Sequence, residues 1–283
     1  MPRFETSQPI AVTVDIFLGQ VEVIASDRTD TVVEVRPSDA AKKDDVRTAK
    51  ETKVDFAAGH LIVKAPRGWK VYTLGANPSI DVTIEVPTGS RLHGTASMCR
   101  FLVTGELGQC ELKTSAGDMQ LEKAGPLELR TAGNITVDQV VSRANITTST
   151  GFVRIGEING NAVVKNSNGD STIGEVAGDL RVNAANGNIT VERPRGSVTA
   201  KTANGSIRIG DASRGTLQLE TSAGELEVGI HPGSAAYLDV NTKSGTLQNL
   251  MDAADQPAQN EETVHVYART SFGNIIIRPA AAI

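Results

Sequence analysis

The chain has 283 residues, 28 basic and 33 acidic, for a net charge of −5. So mild an acidic excess suits solubility and argues against a nucleic-acid or anionic-membrane surface. Aromatic residues make up only 4% of the chain, which fits a thin core of Val, Ile, Leu and Ala better than a large globular one.

The first residues, MPRFETSQPIAVTVDIFLGQVEV, hold no apolar core and no cleavage pattern of a secretory signal, and no stretch approaches a membrane-spanning length. The expected compartment is the cytoplasm. Two cysteines agree with a reducing environment, and no disulfide is expected.

From the N-terminus, Val12 and Val14 precede Gly19, and Val21 and Val23 follow it, so a first strand–glycine–strand unit begins near Ile10. Val33 and Val35 start another strand. The pattern then breaks at a charged insertion, residues 37–53, where apolar residues are too sparse for a core helix. A short solvated helix is expected across Asp45–Lys53. Strands resume at Val54–Phe56 and Leu61–Val63. The segment APRGWKVYTLGANPS, 65–79, reads as a loop, and its Trp69 and Tyr72 are candidate partner contacts as well as candidate plugs over a core flank. Ile80, Val82, Ile84 and Val86 form a clean alternating strand.

Beyond it the chain repeats one unit. Glycines recur at Gly117, Gly133, Gly151, Gly169, Gly187, Gly205, Gly224, Gly245 and Gly273, with gaps of 16, 18, 18, 18, 18, 19, 21 and 28. Counted from each glycine, positions −7 and −5 are apolar, as in Leu180 and Val182, and so are +2 and +4, as in Ile189 and Val191. Alternation at period two marks a half-buried strand, so each unit is two short strands joined by a polar turn. Asn-Gly is a strong hairpin signal, but a hairpin array predicts no constant spacing. Here positions repeat by type every 18 residues, which favours an all-β single-chain β-solenoid whose coils stack about 4.8 Å apart.

In that geometry Asn168–Gly169, Asn186–Gly187 and Asn204–Gly205 form a turn ladder, each asparagine amide bonding the next. The expected cost of Asn186→Leu is about 1–3 kcal/mol for buried amides left unpaired. At exposed Asn188 the same change should cost under about 0.5 kcal/mol. One domain is expected over 1–283, with irregular coils at 1–90, regular coils at 91–250, a loop at 251–262 and a closing coil at 263–279. Phe272 is expected to help close that end. Cys99 and Cys110 are expected in the core.

The N-terminal strand–glycine–strand unit, LIVKAP, DVTIEVPTGS, and the run from KTSAGDMQL through VVKNSNGD, DLRVNAANGNITV and AKTANGSIRIG to ARTSFGNIIIRP resemble the bacterial β-strand-repeat family of adhesin-like proteins. That is a domain family without assigned function, and the resemblance is closest to its actinobacterial members. It covers almost the whole chain and implies a β-solenoid without an enzymatic site.

The residues agree on chemistry. His60, His93, His231 and His265 are dispersed, without metal-ligand spacing. The glycines follow the coil period and open no phosphate-binding helix. Asp170 and Arg154 are diagonal neighbours on adjacent coils and read as a surface salt bridge. No catalytic residue, cofactor or metal is therefore expected. The expected function is a non-catalytic scaffold or binding module, engaging a protein partner or its own kind through the solenoid ends. Carbohydrate binding or cleavage, and self-assembly, are the alternatives.

Overall fold

The computed structural model describes residues 1–66, 77–251 and 262–281, in two compact units, Met1–Val141 and Ser142–Ile283. Trp69 and Tyr72 lie outside the described residues, as does nearly all of the expected loop at 251–262.

The first unit runs β1 (Arg3–Glu5), β2 (Ala11–Asp15), β3 (Leu18–Ser26), β4 (Asp30–Pro37), α1 (Lys43–Glu51), β5 (Lys53–Ala57), β6 (His60–Lys64) and β7 (Ile80–Pro87). It continues with β8 (Arg91–Leu107), β9 (Cys110–Ala116), β10 (Met119–Ala124), β11 (Leu127–Thr131) and β12 (Ile135–Val140). Two parallel ladders run through it. One is β6–β2–β8–β9–β11, the other β7–β3–β8–β10–β12, and the seventeen-residue β8 serves both. The first coil in sequence, β2–β3, is thus second in space, between β6–β7 and β8. Antiparallel strands cover the outer end: β5 on β6, β4 on β7 and β1 on β4.

The insertion is less solvated than its composition suggests. Its helix begins at Lys43, and Asp45 is only 2% exposed. The Asp45 carboxylate accepts the backbone N–H of Ser79 at 3.0 Å and of Asp39 at 3.2 Å. Charge alone had marked the segment as a solvated face, whereas a buried carboxylate that caps two backbone amides is satisfied.

The second unit continues with β13 (Ala144–Thr148), β14 (Val153–Ile158), β15 (Ala162–Asn168), β16 (Ser171–Val176), β17 (Leu180–Asn186), β18 (Ile189–Pro194), β19 (Val198–Asn204) and β20 (Ile207–Ala212). Its last strands are β21 (Gly215–Ala223), β22 (Leu226–Ile230), β23 (Ser234–Ser244), β24 (Leu247–Asn249), β25 (Glu262–Phe272) and β26 (Ile275–Pro279). Ala162 pairs with Leu180 and Leu180 with Val198, the 18-residue register of the repeat. The expected β-solenoid is present, all-β with parallel strands. Inward residues such as Val164, Val182, Ala200 and Leu219 are fully buried, and each buried Val or Leu contributes about 1.5–3 kcal/mol.

The order of the last coils departs from the sequence. β25 pairs with both β21 and β23, and β26 with both β22 and β24. The chain builds the outermost coil first, as β23–β24, then returns to fill the place beneath it. The segment 263–279 is therefore the penultimate coil. Phe272 closes nothing and is 67% exposed. Three residues, 231–233, carry the chain from β22 past that place to β23.

Among the described residues, no helix is long and apolar enough to cross a membrane, which says nothing of strand-built spans.

Candidate interaction surface

The turns show how the polar columns are used. Asn186 Nδ2 donates to Asn168 Oδ1 at 2.8 Å, and Asn204 Nδ2 to Asn186 Oδ1 at 2.9 Å. This row is exposed, contrary to the burial expected from its alternation. The inward series −7, −5 ends at −3; the strand runs on to −1, but the ladder skips −2 and the last two strand residues are both exposed, so −1 lies on the outside at the strand end. The glycine that follows stays close-packed: at Gly187, with φ +135, a Cβ would meet the Gly169 carbonyl oxygen at 2.1 Å.

The buried polar column is the one at −3. Thr148, Asn166, Thr202, Thr221 and Thr270 are 1–6% exposed. Thr221 Oγ1 donates to the Gly205 carbonyl at 2.9 Å, and Thr270 Oγ1 to that of Gly224 at 3.1 Å. Each hydroxyl satisfies a turn carbonyl of the neighbouring coil.

Position +1 forms another column. Asp170 Oδ1 accepts the Asn188 N–H at 2.8 Å, and Asn188 Oδ1 accepts that of Ser206 at 2.9 Å. Asp170 and Arg154 are not ion-paired, contrary to expectation. The Arg154 guanidinium instead lies 5.8 Å from the centre of the Phe152 ring.

Cys99 and Cys110 are buried and unpaired, and burial pushes both thiols up to about 12. Among the described residues no cluster of His, Cys, Asp and Glu is placed to hold a metal ion.

One outer face differs from this structural pattern. Across β19, β21, β25 and β23, Lys201, Glu220, Arg269 and Asn241 stand side by side in register. They line a groove of about 360 Å³ together with Ser222, Lys243 and Ser271. Three of its four charges are held in place. Lys201 Nζ sits 2.8 Å from Glu220 Oε2, and Gln218 Nε2 donates to Glu220 Oε1 at 2.9 Å. Lys201 first, then Gln218, lowers the Glu220 carboxyl below its ordinary pKa. Arg269 clamps Asp239 twice, Nη1 to its carbonyl at 2.7 Å and Nη2 to its carboxylate at 2.8 Å.

Beside the groove stand aromatic rings. Tyr237 on β23 stacks on His265 of β25, centroids 5.1 Å apart and planes 11° apart. Tyr267, two residues on, faces the same side. Tyr237 is 53% and Tyr267 43% exposed. The chain has three tyrosines, so two of them stand here in solvent. Exposed rings beside immobilised hydrogen-bonding groups suit recognition, because little side-chain freedom remains to be lost on binding.

Sequence reasoning missed this face because its two halves lie far apart in the chain. Tyr237 and His265 are 28 residues apart, the same gap that separates Gly245 from Gly273. Reading the longest gap as one more stacking register would have brought them together.

A family model described as Toastrack DUF4097 matches residues 13–261. No curated protein shows significant similarity to the chain. Among solved structures the chain is similar to a candidate adhesin from Parabacteroides merdae, at 12% identity over 98% of this chain and 94% of that one, TM-score 0.38. It is also similar to a candidate adhesin from Bacteroides fragilis, at 10% identity over 98% and 95%, TM-score 0.34. A third is a candidate lipid-binding protein from Parabacteroides distasonis, at 12% identity over 98% and 95%, TM-score 0.39.

Proposed function

The chain belongs to the Toastrack DUF4097 family, and from that premise we propose that it is a non-catalytic, adhesin-like binding module. The outer face of β19, β21, β25 and β23 meets a partner protein. The observation that carries this reading is the exposed Tyr237–His265–Tyr267 cluster beside a groove in which Lys201, Glu220 and Arg269 are already fixed. Aromatic side chains with ordered polar neighbours dominate binding energy at protein interfaces.

The test is capture from host lysate with the wild-type protein and with a Tyr237→Ala/Tyr267→Ala variant. A stoichiometric partner retained by the first and lost by the second is the expected result. Equal retention by both, with the variant's melting temperature unchanged, would move the site elsewhere.

A second reading, carbohydrate binding, is favoured by the same rings standing next to the Arg269–Asp239 clamp, since a sugar presents an apolar C–H face edged by hydroxyls. A glycan panel that raises the wild-type melting temperature but not the variant's would select it. The compartment in this reading is the cytoplasm, supported by two cysteines that are free and buried. Cell fractionation tests it.

A further inference from the structure

The coil stacks of the two units end differently. At the outer end of the first unit, β1 and β5 bring Phe4 against Phe56, ring centroids 5.0 Å apart, above the antiparallel strands already described. At the outer end of the second unit, β23 and β24 are last. Among the described residues no strand pairs with their free edges. β23 is eleven residues long, contains no proline, and holds register with β25 from Ser234 to Thr242 without a bulge. Such an edge is a template for another strand unless it is covered.

The core is open there as well. Leu217 and Val266 are 0% and 1% exposed, while Leu238, next in their column, is half-buried. Leu226 and Ile275 are fully buried, while Leu247 above them is 52% exposed. Tyr237, Leu247, Leu250, Tyr267 and Phe272 are five of the ten large apolar side chains exposed among the described residues. All five belong to these last two coils or their connection.

We propose that β23 and β24 form the interface of a closed two-fold homodimer, with β23 pairing antiparallel to β23 of a second copy about an axis at Asn241. Charge selects this occupant and this register. Centred on Asn241, the pairing sets Asp239 opposite Lys243 of the second copy, and the symmetry makes the contact twice. Lys243 has no ion pair among the described residues, and Asp239 is held in place by Arg269. Residues opposed across an antiparallel pair point to the same face. Val240 therefore meets Thr242 inside, and Leu238 lies across from the second copy's strand end at Ser244.

Closure follows from strand length. Among the described residues the first unit's own unpaired edges belong to β1 and β5, of three and five residues against the eleven of β23, so head-to-tail pairing is short and the isologous contact is favoured. The dimer would also place the two outer faces side by side as one surface, a consequence that rests on the binding reading above. The dimer itself does not.

Light scattering across a concentration series should show twice the monomer mass, without further growth. Asn241→Cys places a thiol beside its own symmetry mate, at the Cα separation of about 4.5 Å typical of a non-hydrogen-bonded pair and within disulfide reach. Mild oxidation should then link it into a dimer, while Ser167→Cys, exposed in mid-stack, stays monomeric. Lys243→Glu should weaken association about tenfold by setting like charges opposite each other twice, and Lys243→Arg should leave it unchanged. A monomer at every concentration, a mass that keeps rising, or a dimer that Asn241→Cys does not link would each overturn the proposal. Because linking and mass are read without any ligand, their failure is separable from failure of the binding reading.

Discussion

The Asn166 side chain carries out for Ala184 a task that Ala184 cannot perform. In neighbouring coils the −3 hydroxyl donates to the glycine carbonyl of the coil before it. Thr202 reaches Gly187 at 3.3 Å and Thr221 reaches Gly205 at 2.9 Å. Ala184 has no donor for Gly169. Asn166, with two N–H groups, donates both to its own neighbour Gly151 at 3.0 Å and forward to Gly169 at 2.9 Å. In exchange its Oδ1 is buried without a partner.

Asn166→Thr should therefore destabilise the protein by about 1–2 kcal/mol, because one buried carbonyl loses its donor. Adding Ala184→Thr should restore stability to the wild-type level or above it, since the orphaned Oδ1 is gone as well. Chemical denaturation of the two single variants and the double variant checks this. Additive losses in the double variant would contradict it.

Asn186 and Asn188 should rank in the order opposite to the one their alternation suggests. The Asn186 ladder is exposed, and its loss by Asn186→Leu should cost under about 1 kcal/mol. Asn188→Leu removes the acceptor of the Ser206 N–H and should cost at least as much. Asn188→Ser, which keeps an oxygen acceptor as Ser206 does for the Glu225 N–H at 3.1 Å, should be nearly silent. Urea midpoints at constant m-value decide the ranking.

Gly187→Ala should be among the most damaging single-methyl changes in the regular coils. The new Cβ would collide with backbone oxygen at 2.1 Å in a conformation, φ +135, that L-residues rarely adopt. Since backbone rather than a flexible side chain must yield, the expected loss exceeds about 2 kcal/mol. Soluble yield and melting temperature report it, with Ser167→Ala as an outward control.

Cys99 and Cys110 should be silent to thiol reagents in the native protein and react fully after unfolding. Burial raises both from 9.0 to about 12, so the folded state holds its thiol protons where the unfolded chain releases them. Stability is thus unaffected by these groups below pH 9.0 and falls as pH rises from there towards about 12. A Cys110→Ala variant should lose part of that alkaline slope. Rapid labelling of the native protein at neutral pH would contradict their burial.

The sequence by itself determined the coil. An 18-residue repeat of alternating apolar residues states which side chains face inward and which coils stack in register, because period-two burial and a constant spacing admit few other folds. It also showed the Asn168–Asn186–Asn204 column. What it left to the tertiary structure was the corner and the ends. Alternation continues in sequence through −3 to −1, but the ladder skips the residue between them and the strand ends with two exposed residues, so Thr221 is buried and Asn204 is not. At both ends the period is broken by long connections, and a broken period does not say which coil is the neighbour. Only the hydrogen-bonded ladders decided that β2–β3 and β25–β26 fill second places. They brought Tyr237 onto His265 and left β23 with an open edge.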